Sequence, residues 1–169
     1  MNLLFNIIIT SCLFFNNTFN DFSISYQYPK NIDALILAYD EMYNYNNNHF
    51  VDKQPLRDFI ILDMESIYFT DTTYEERQKA IEHFQEYGPT VLNASLFKLK
   101  EIGLANKFGS IKVNGDLLMI TNISSNEAGE TIIEGSKYHS PVGSYQYKVK
   151  LKIINNTWSV IDTNLISIA

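Results

Sequence analysis

The sequence predicts an α+β fold in which helices precede an antiparallel sheet, and three observations carry that prediction. Apolar residues recur at helical spacing through the first half, as in Ile32, Leu35, Ile36, Tyr39, Met42 and Tyr43. In the second half the period changes to two, most clearly where Tyr145, Tyr147, Val149, Leu151 and Ile153 alternate with Gln146, Lys148, Lys150 and Lys152. Helices followed by a run of strands is the α+β order, as opposed to the strand-helix alternation that builds a parallel sheet.

The first helix runs through the Ile32 to Tyr43 stripe, with Asp33, Asp40 and Glu41 on its solvated side, and the Asn44-Tyr45-Asn46-Asn47-Asn48 stretch is expected to end it. A second short helix is expected from Pro55, a residue suited to the first turn, with Leu56, Phe59 and Ile60 inward and a change to extended chain by Glu65 to Phe69. Thr72-Thr73-Tyr74-Glu75-Glu76 is a capping box in either of two registers. It opens a helix carrying Tyr74, Ala80, Ile81, Phe84 and Tyr87 that stops at Gly88-Pro89. On that helix Glu75 and Lys79 are spaced to attract, whereas Glu82 and Glu86 repel. Val91 to Ile102 reads as a further helix with Leu92, Leu96 and Leu99 inward and Gly103 as its left-handed cap.

From there the strands follow. Ile111 to Val113 and Asp116 to Ile123 are expected to pair across an Asn114-Gly115 type I′ turn, and Thr131 to Glu134 forms another short strand. Tyr138-His139-Ser140-Pro141 reads as a loop into the long Tyr145 to Ile153 strand, whose lysines form a ladder in water. Asn155-Asn156 then turns the chain, and Thr157-Trp158-Ser159-Val160-Ile161 returns along it as a C-terminal hairpin.

The N-terminus carries a different kind of signal. Leu3, Leu4, Phe5, Ile7, Ile8 and Ile9 form an apolar run too short for a membrane-spanning helix, which takes about 20 residues. It leads into Ile9-Thr10-Ser11-Cys12, which resembles a bacterial lipobox: an aliphatic residue, two small or β-branched residues, and the cysteine that is acylated and becomes the new N-terminus. On this reading residues 1–20 are an export leader, residues 21–169 are one α+β domain, and lipidated Cys12 anchors the protein to the membrane of a bacterial cell envelope. Because Leu13-Phe14-Phe15 continues the apolar run and no Lys or Arg precedes Cys12, an ordinary secretory signal cut between Asn16 and Asp21 competes with it. A buried element of a cytoplasmic domain is the third alternative.

Composition narrows the function classes. A formal net charge of −6 with no Lys/Arg cluster excludes the phosphate neutralisation that drives nucleic-acid binding. One cysteine allows no internal disulfide, and with three histidines it predicts no zinc site. Asn126-Glu127-Ala128-Gly129-Glu130 lacks the carboxylate spacing of a calcium loop and reads as a solvated turn. There is no His-Glu-x-x-His, no Gly-x-Ser-x-Gly and no phosphate-binding glycine loop, so no cofactor is expected.

The order of helices, antiparallel meander and final Asn-Asn, Trp158-Ser159-Val160 hairpin resembles small extracytoplasmic domains of the nuclear transport factor-like (cystatin-like) superfamily, over roughly residues 31 to 162. The resemblance implies a curved antiparallel sheet wrapped around the helices. It also implies a conical cavity, in which Tyr68, His139, Tyr145 and Tyr147 are the candidate lining residues, with Asp63 and Glu65 as further acid/base candidates. For each a plainer role competes: a tyrosine on the inner side of a strand is commonly a core residue with its hydroxyl at the surface. The leading expectation is therefore a non-enzymatic envelope protein that binds a protein or a small ligand, an immunity-type protein with an acidic surface among the possibilities. The competing expectation is a small isomerase or dehydratase using Tyr, Asp and His groups.

Overall fold

The computed structural model describes residues 30–49 and 56–169, with the side chains of 46–49 left aside. The elements follow in the order α1 (Asn31–His49), β1 (Phe59–Leu62), a 3-10 turn (Ile67–Phe69), α2 (Tyr74–Gln85), β2 (Thr90–Asn93), α3 (Leu96–Glu101), β3 (Gly115–Ser125), β4 (Thr131–Ser140), β5 (Gly143–Ile154) and β6 (Thr157–Ile168). Among the described residues three α-helices and one six-stranded sheet make an α+β arrangement. The sheet order is β2-β1-β3-β4-β5-β6. The leader, Cys12, Pro55 and the side chain of His49 lie outside what is described.

The sheet is mixed, which corrects the expectation of a wholly antiparallel one. β1 runs parallel to both β2 and β3, while β3 to β6 form an antiparallel meander. The two short strands stand where the sequence pattern predicts helix, because Phe59-Ile60-Ile61-Leu62 and Val91-Leu92 are apolar without alternation, a pattern shared by buried helices and by strands covered on both faces. β1 is such a strand. Ile60 and Leu62 point into a core shared with α1 and α2, and Ile61 points into a second one built with Leu99 of α3, Ala94, Ala105, Ile111 and Leu117.

Five other expectations change in detail. α1 continues through the asparagines to His49. Glu65 to Phe69 closes as a 3-10 turn, and the Val91 to Ile102 segment divides into β2 and α3, with Ser95 accepting from Lys98 N as the α3 cap. Asn114-Gly115 makes no hairpin, because Gly115 opens β3 directly beside Phe59 and Ile111 instead bridges to Ala105. β4 extends to Ser140, so His139 lies in a strand.

Other local signals are found as the sequence placed them. Thr73 accepts from Glu76 N at 3.2 Å while Glu76 Oε2 accepts from Thr73 N at 3.0 Å, the reciprocal box that starts α2. Gly103 has φ of 80°, and the Gly103 and Leu104 amides donate to Lys100 O and Leu99 O to close α3. Asn155 and Asn156 take φ of 51° and 60° between β5 and β6, the left-handed pair that a type I′ turn requires. The lysines of β5 are less solitary than a ladder in water, since Lys148 pairs with Glu134 and Lys150 with Asp162 across the neighbouring strands.

α1 shares the larger core with the meander. Leu35, Tyr39 and Met42 join one buried cluster with Ile120, Ile133, Val149 and Leu151. Its register over β6 is fixed by polar contacts: Trp158 Nε1 donates to Lys30 O at 3.0 Å, Thr163 Oγ1 to Glu41 at 2.8 Å and Leu165 N to Tyr45 OH at 3.4 Å. Met42 lies so close to Gly135 of β4 that a Cβ there would collide with Met42 Cε and the Met119 carbonyl. Gly135→Ala is therefore expected to destabilise the fold by about 2 kcal/mol or more, against about 1 kcal/mol for the cap variant Thr73→Ala, both read by urea unfolding. Equal losses would show that α1 does not sit this close to β4.

Candidate functional site

Strand register decides which polar groups turn inward. Tyr145, Tyr147, Val149 and Leu151 occupy the α1-facing side of β5. Across the ladder Tyr147 opposes Gly135 and Tyr145 opposes Lys137, so Lys137 inherits the inner face. It is 3% exposed. Its ammonium donates to Tyr43 O of α1 at 3.4 Å and stands 5.8 Å from the centre of the Tyr145 ring.

One strand over, Leu118 opposes Lys137, and Asp116 lies two residues earlier on the same face. Asp116 is 2% exposed and accepts from Arg57 Nε at 2.8 Å, while Arg57 Nη1 donates to Asn114 Oδ1 at 3.2 Å. Isolated charges are costly to bury, and a hydrogen-bonded pair offsets part of that cost. Tyr43 and Tyr45 of α1 and Tyr145 are half-buried and form the side of the cluster nearest solvent. Tyr45 packs against Tyr147 with ring centres 5.2 Å apart.

The environment shifts the groups it encloses. Burial pushes the Lys137 amine down to about 8; Asp116 pulls it back up and Arg57 lowers it further. Burial raises the Tyr147 phenol, with Tyr145, Tyr45 and Asp116 adding to the effect, and it raises Tyr43 in the same way with help from Asp116. The Tyr147 side chain is fully buried, and among the described residues its hydroxyl has no hydrogen-bond partner.

Of the residues singled out from sequence, the structure brings Tyr145 and Tyr147 into this cluster and places the others elsewhere. Tyr68 OH donates to Thr121 O at 2.7 Å. His139 Nδ1 lies 2.8 Å from Gly115 O, a contact that assigns the proton to Nδ1. Glu65 accepts from Ser95 N and Ser95 Oγ at the start of α3, and these bonds hold its carboxyl below the usual range. Asp63 follows β1, accepts from Glu65 N at 3.2 Å, and has its carboxyl raised by burial. Lys137, Asp116, Arg57, Tyr43 and Tyr45 were not anticipated. The one available signal was the Ile133-x-Gly135-x-Lys137 alternation in β4, which carries the lysine on the apolar face.

A second polar group joins α1 to α2. Asp40 Oδ1 accepts from Tyr87 OH and from Asn44 Nδ2 at 3.3 Å, and His83 Nε2 lies 3.3 Å from the same oxygen. Burial, followed by the bond to Asp40, pushes the Tyr87 phenol up to about 12. The rings of Tyr43, Phe84 and Tyr87 pack against one another beside it in edge-on and tilted pairs, so it fastens the two helices together. Asn126 similarly closes the β3–β4 turn through bonds from Ala128 N and Glu130 N.

Among the described residues no group of three or more His, Cys, Asp or Glu side chains is placed to hold a metal ion. No described helix is long and apolar enough to cross a membrane. Comparison with protein families, curated proteins and solved structures finds no match to this chain.

A lysine whose amine is depressed on folding binds fewer protons in the folded state than in the unfolded one. Stability from this group therefore rises as pH climbs from about 8 towards the unfolded value of 10.5. Tyrosines, raised on folding, act oppositely above about 10, which leaves pH 8 to 10 as the informative window. Lys137→Met is expected to flatten the rise in Tm across that window; an unchanged slope would mean that the amine is not buried.

Proposed function

We propose that this chain is an exported, envelope-anchored binding protein without catalytic activity, whose α+β domain takes up a small ligand at the tyrosine cluster around Lys137. One observation carries the binding reading: among the described residues the fully buried Tyr147 hydroxyl has no partner, and it lies on the same sheet face as buried Lys137 and Asp116. Leaving such a donor unmet costs about 1–3 kcal/mol, a cost that a ligand bringing an acceptor removes. Export is supported by the Leu3 to Ile9 apolar run ending in Ile9-Thr10-Ser11-Cys12, with acylation of Cys12 as the anchor. The antiparallel meander β3 to β6 that follows the three helices supports kinship with the nuclear transport factor-like (cystatin-like) superfamily, although β1 and β2 are interleaved with those helices.

The isomerase or dehydratase reading has less to support it. The carboxylate within the tyrosine cluster, Asp116, is held by Arg57, and the carboxyl that burial raises, Asp63, lies at the opposite end of β1. A general base would have to combine both properties at one position.

Two measurements test the proposal. In a bacterial host the wild type is expected in the membrane fraction with an acylated N-terminal Cys12 by intact mass, and Cys12→Ser in the soluble fraction; a cytosolic chain that keeps Met1 contradicts export. Native mass spectrometry of the gently purified protein is expected to show a discrete small-molecule adduct that Tyr147→Phe weakens, and a bare wild-type mass contradicts ligand binding.

A further inference from the structure

We propose that the α3 side of the domain docks on an anionic lipid surface, with Phe97, Phe108 and Val142 entering the headgroup boundary and Lys100, Lys107 and Lys112 meeting the lipid phosphates. The inference goes beyond the ligand-binding reading and stands apart from it. It gives the folded domain a membrane contact of its own, in addition to the anchor at Cys12.

Three stretches of chain meet on that side: α3, the loop of residues 104–112 and the β4–β5 turn. A Cβ at Gly109 would stand 3.8 Å from Leu96 Cδ2 of α3 and 3.8 Å from Pro141 Cγ of the turn, and Tyr138 OH donates to Gly109 O at 3.3 Å. The chain neighbours of Leu96, Gly109 and Pro141 are left in water: Phe97 is 70% exposed, Phe108 73% and Val142 85%. Phe108 is held there by a fixed turn, since Asn106 Oδ1 accepts from Phe108 N at 2.9 Å and from Ser110 N at 3.0 Å. Large apolar side chains gathered on one part of a surface mark contact with another body.

Charge identifies that body. Between Leu96 and Lys112 the chain carries four lysines against Glu101 alone, a local charge of +3 on a protein of net charge −6. The lysines form no run in the sequence, and all four are exposed. Lys98 pairs with Glu101, while Lys100, Lys107 and Lys112 form no salt bridge among the described residues. The acidic counterpart lies across the sheet. α2 packs into the core on the opposite face from α3, and residues 71–86 carry five carboxylates against Arg77 and Lys79. Screening at physiological salt acts over about 8 Å, less than the thickness of a sheet covered by helices, so that acidity does not cancel attraction on the α3 side. Lysine is depleted at protein–protein interfaces, where Tyr, Trp and Arg are favoured. Lysine stems beside exposed Phe and aliphatic side chains are instead the composition of an interfacial membrane contact.

The test uses the full-length chain with Cys12→Ser, so that acylation plays no part, and an environment-sensitive NBD probe on a single new cysteine. The probe sits at Val142→Cys or, on α2, at the exposed Glu82→Cys. With vesicles of phosphatidylglycerol and phosphatidylcholine in equal parts, the probe at position 142 is expected to shift to the blue and gain about twofold or more in emission, and the probe at position 82 to stay unchanged. Pure phosphatidylcholine is expected to change neither. The triple variant Lys100→Gln, Lys107→Gln, Lys112→Gln, with an unchanged urea midpoint because all three side chains are exposed, is expected to weaken the anionic-vesicle titration by about tenfold or more. Raising salt from about 0.1 M to about 0.5 M should weaken it likewise. No response at position 142, or an equal one at position 82, overturns the docking face. An equal response at position 142 on neutral vesicles overturns the role given to the lysines. Lysine-dependent binding to poly-glutamate with no response on vesicles overturns the lipid assignment in favour of an acidic protein partner. Each of these failures leaves both the tyrosine-cluster ligand and the acylation of Cys12 to their own measurements.

Discussion

The fold depends on one strand being covered on both faces. β1 is four residues long, yet it joins β2 to the meander through two parallel ladders and places adjacent side chains in different cores. Parallel neighbours require crossovers, and the chain makes them with α2 between β1 and β2 and with α3 between β2 and β3. α2 contributes Ala80 and Phe84 to the core on the α1 side, whereas α3 contributes Leu99 to the core on the other. Removing either cover would expose half of an entirely apolar strand.

The same strand frames the polar cluster. Arg57 enters just before β1 and meets Asp116 near the start of β3, so the ion pair lies across the first rungs of the β1–β3 ladder. The β4–β5 register then carries Lys137 inward opposite Tyr145, and α1 closes over it through Tyr43. Each inward polar group is therefore placed by a ladder built for other reasons. The closeness of α1 to β4 at Gly135, where Met42 fills the space of a missing side chain, sets how near the helix comes to the lysine. Exposed ion pairs such as Lys30–Glu76 and Lys79–Asp33 tie α1 to α2 with much smaller energetic effect.

Periodicity made α1, α2 and β5 legible, and local chemistry made their ends legible: the Thr73–Glu76 box, Gly103 after α3 and the Asn155-Asn156 turn. It failed where length and burial removed the period. Four apolar residues covered on both faces look the same as a turn of buried helix, which hid β1; β2 offers only Val91 and Leu92 between polar ends, too few to show a period, and with both strands went the mixed sheet. Asn114-Gly115 misled because a strong turn signal was overridden by a long-range ladder to Phe59. In the site, Tyr145 and Tyr147 followed from alternation along their own strand. Lys137 did not, because the face of a lysine is set by its partner strand and its own chemistry argues for solvent. Arg57 and Asp116 stand 59 residues apart, and no local pattern joins them.

Native-state amide hydrogen exchange reads the central dependence most directly. Edge and core strands should separate, since β6 lies at the sheet margin with two register shifts along it and β1 is enclosed. The amides of Ile60, Ile61 and Leu62 are predicted to exchange only through global unfolding, together with Leu117 and Leu118 of β3, while those of β6 exchange sooner. Exchange of the β1 amides as fast as the β6 edge would contradict the account.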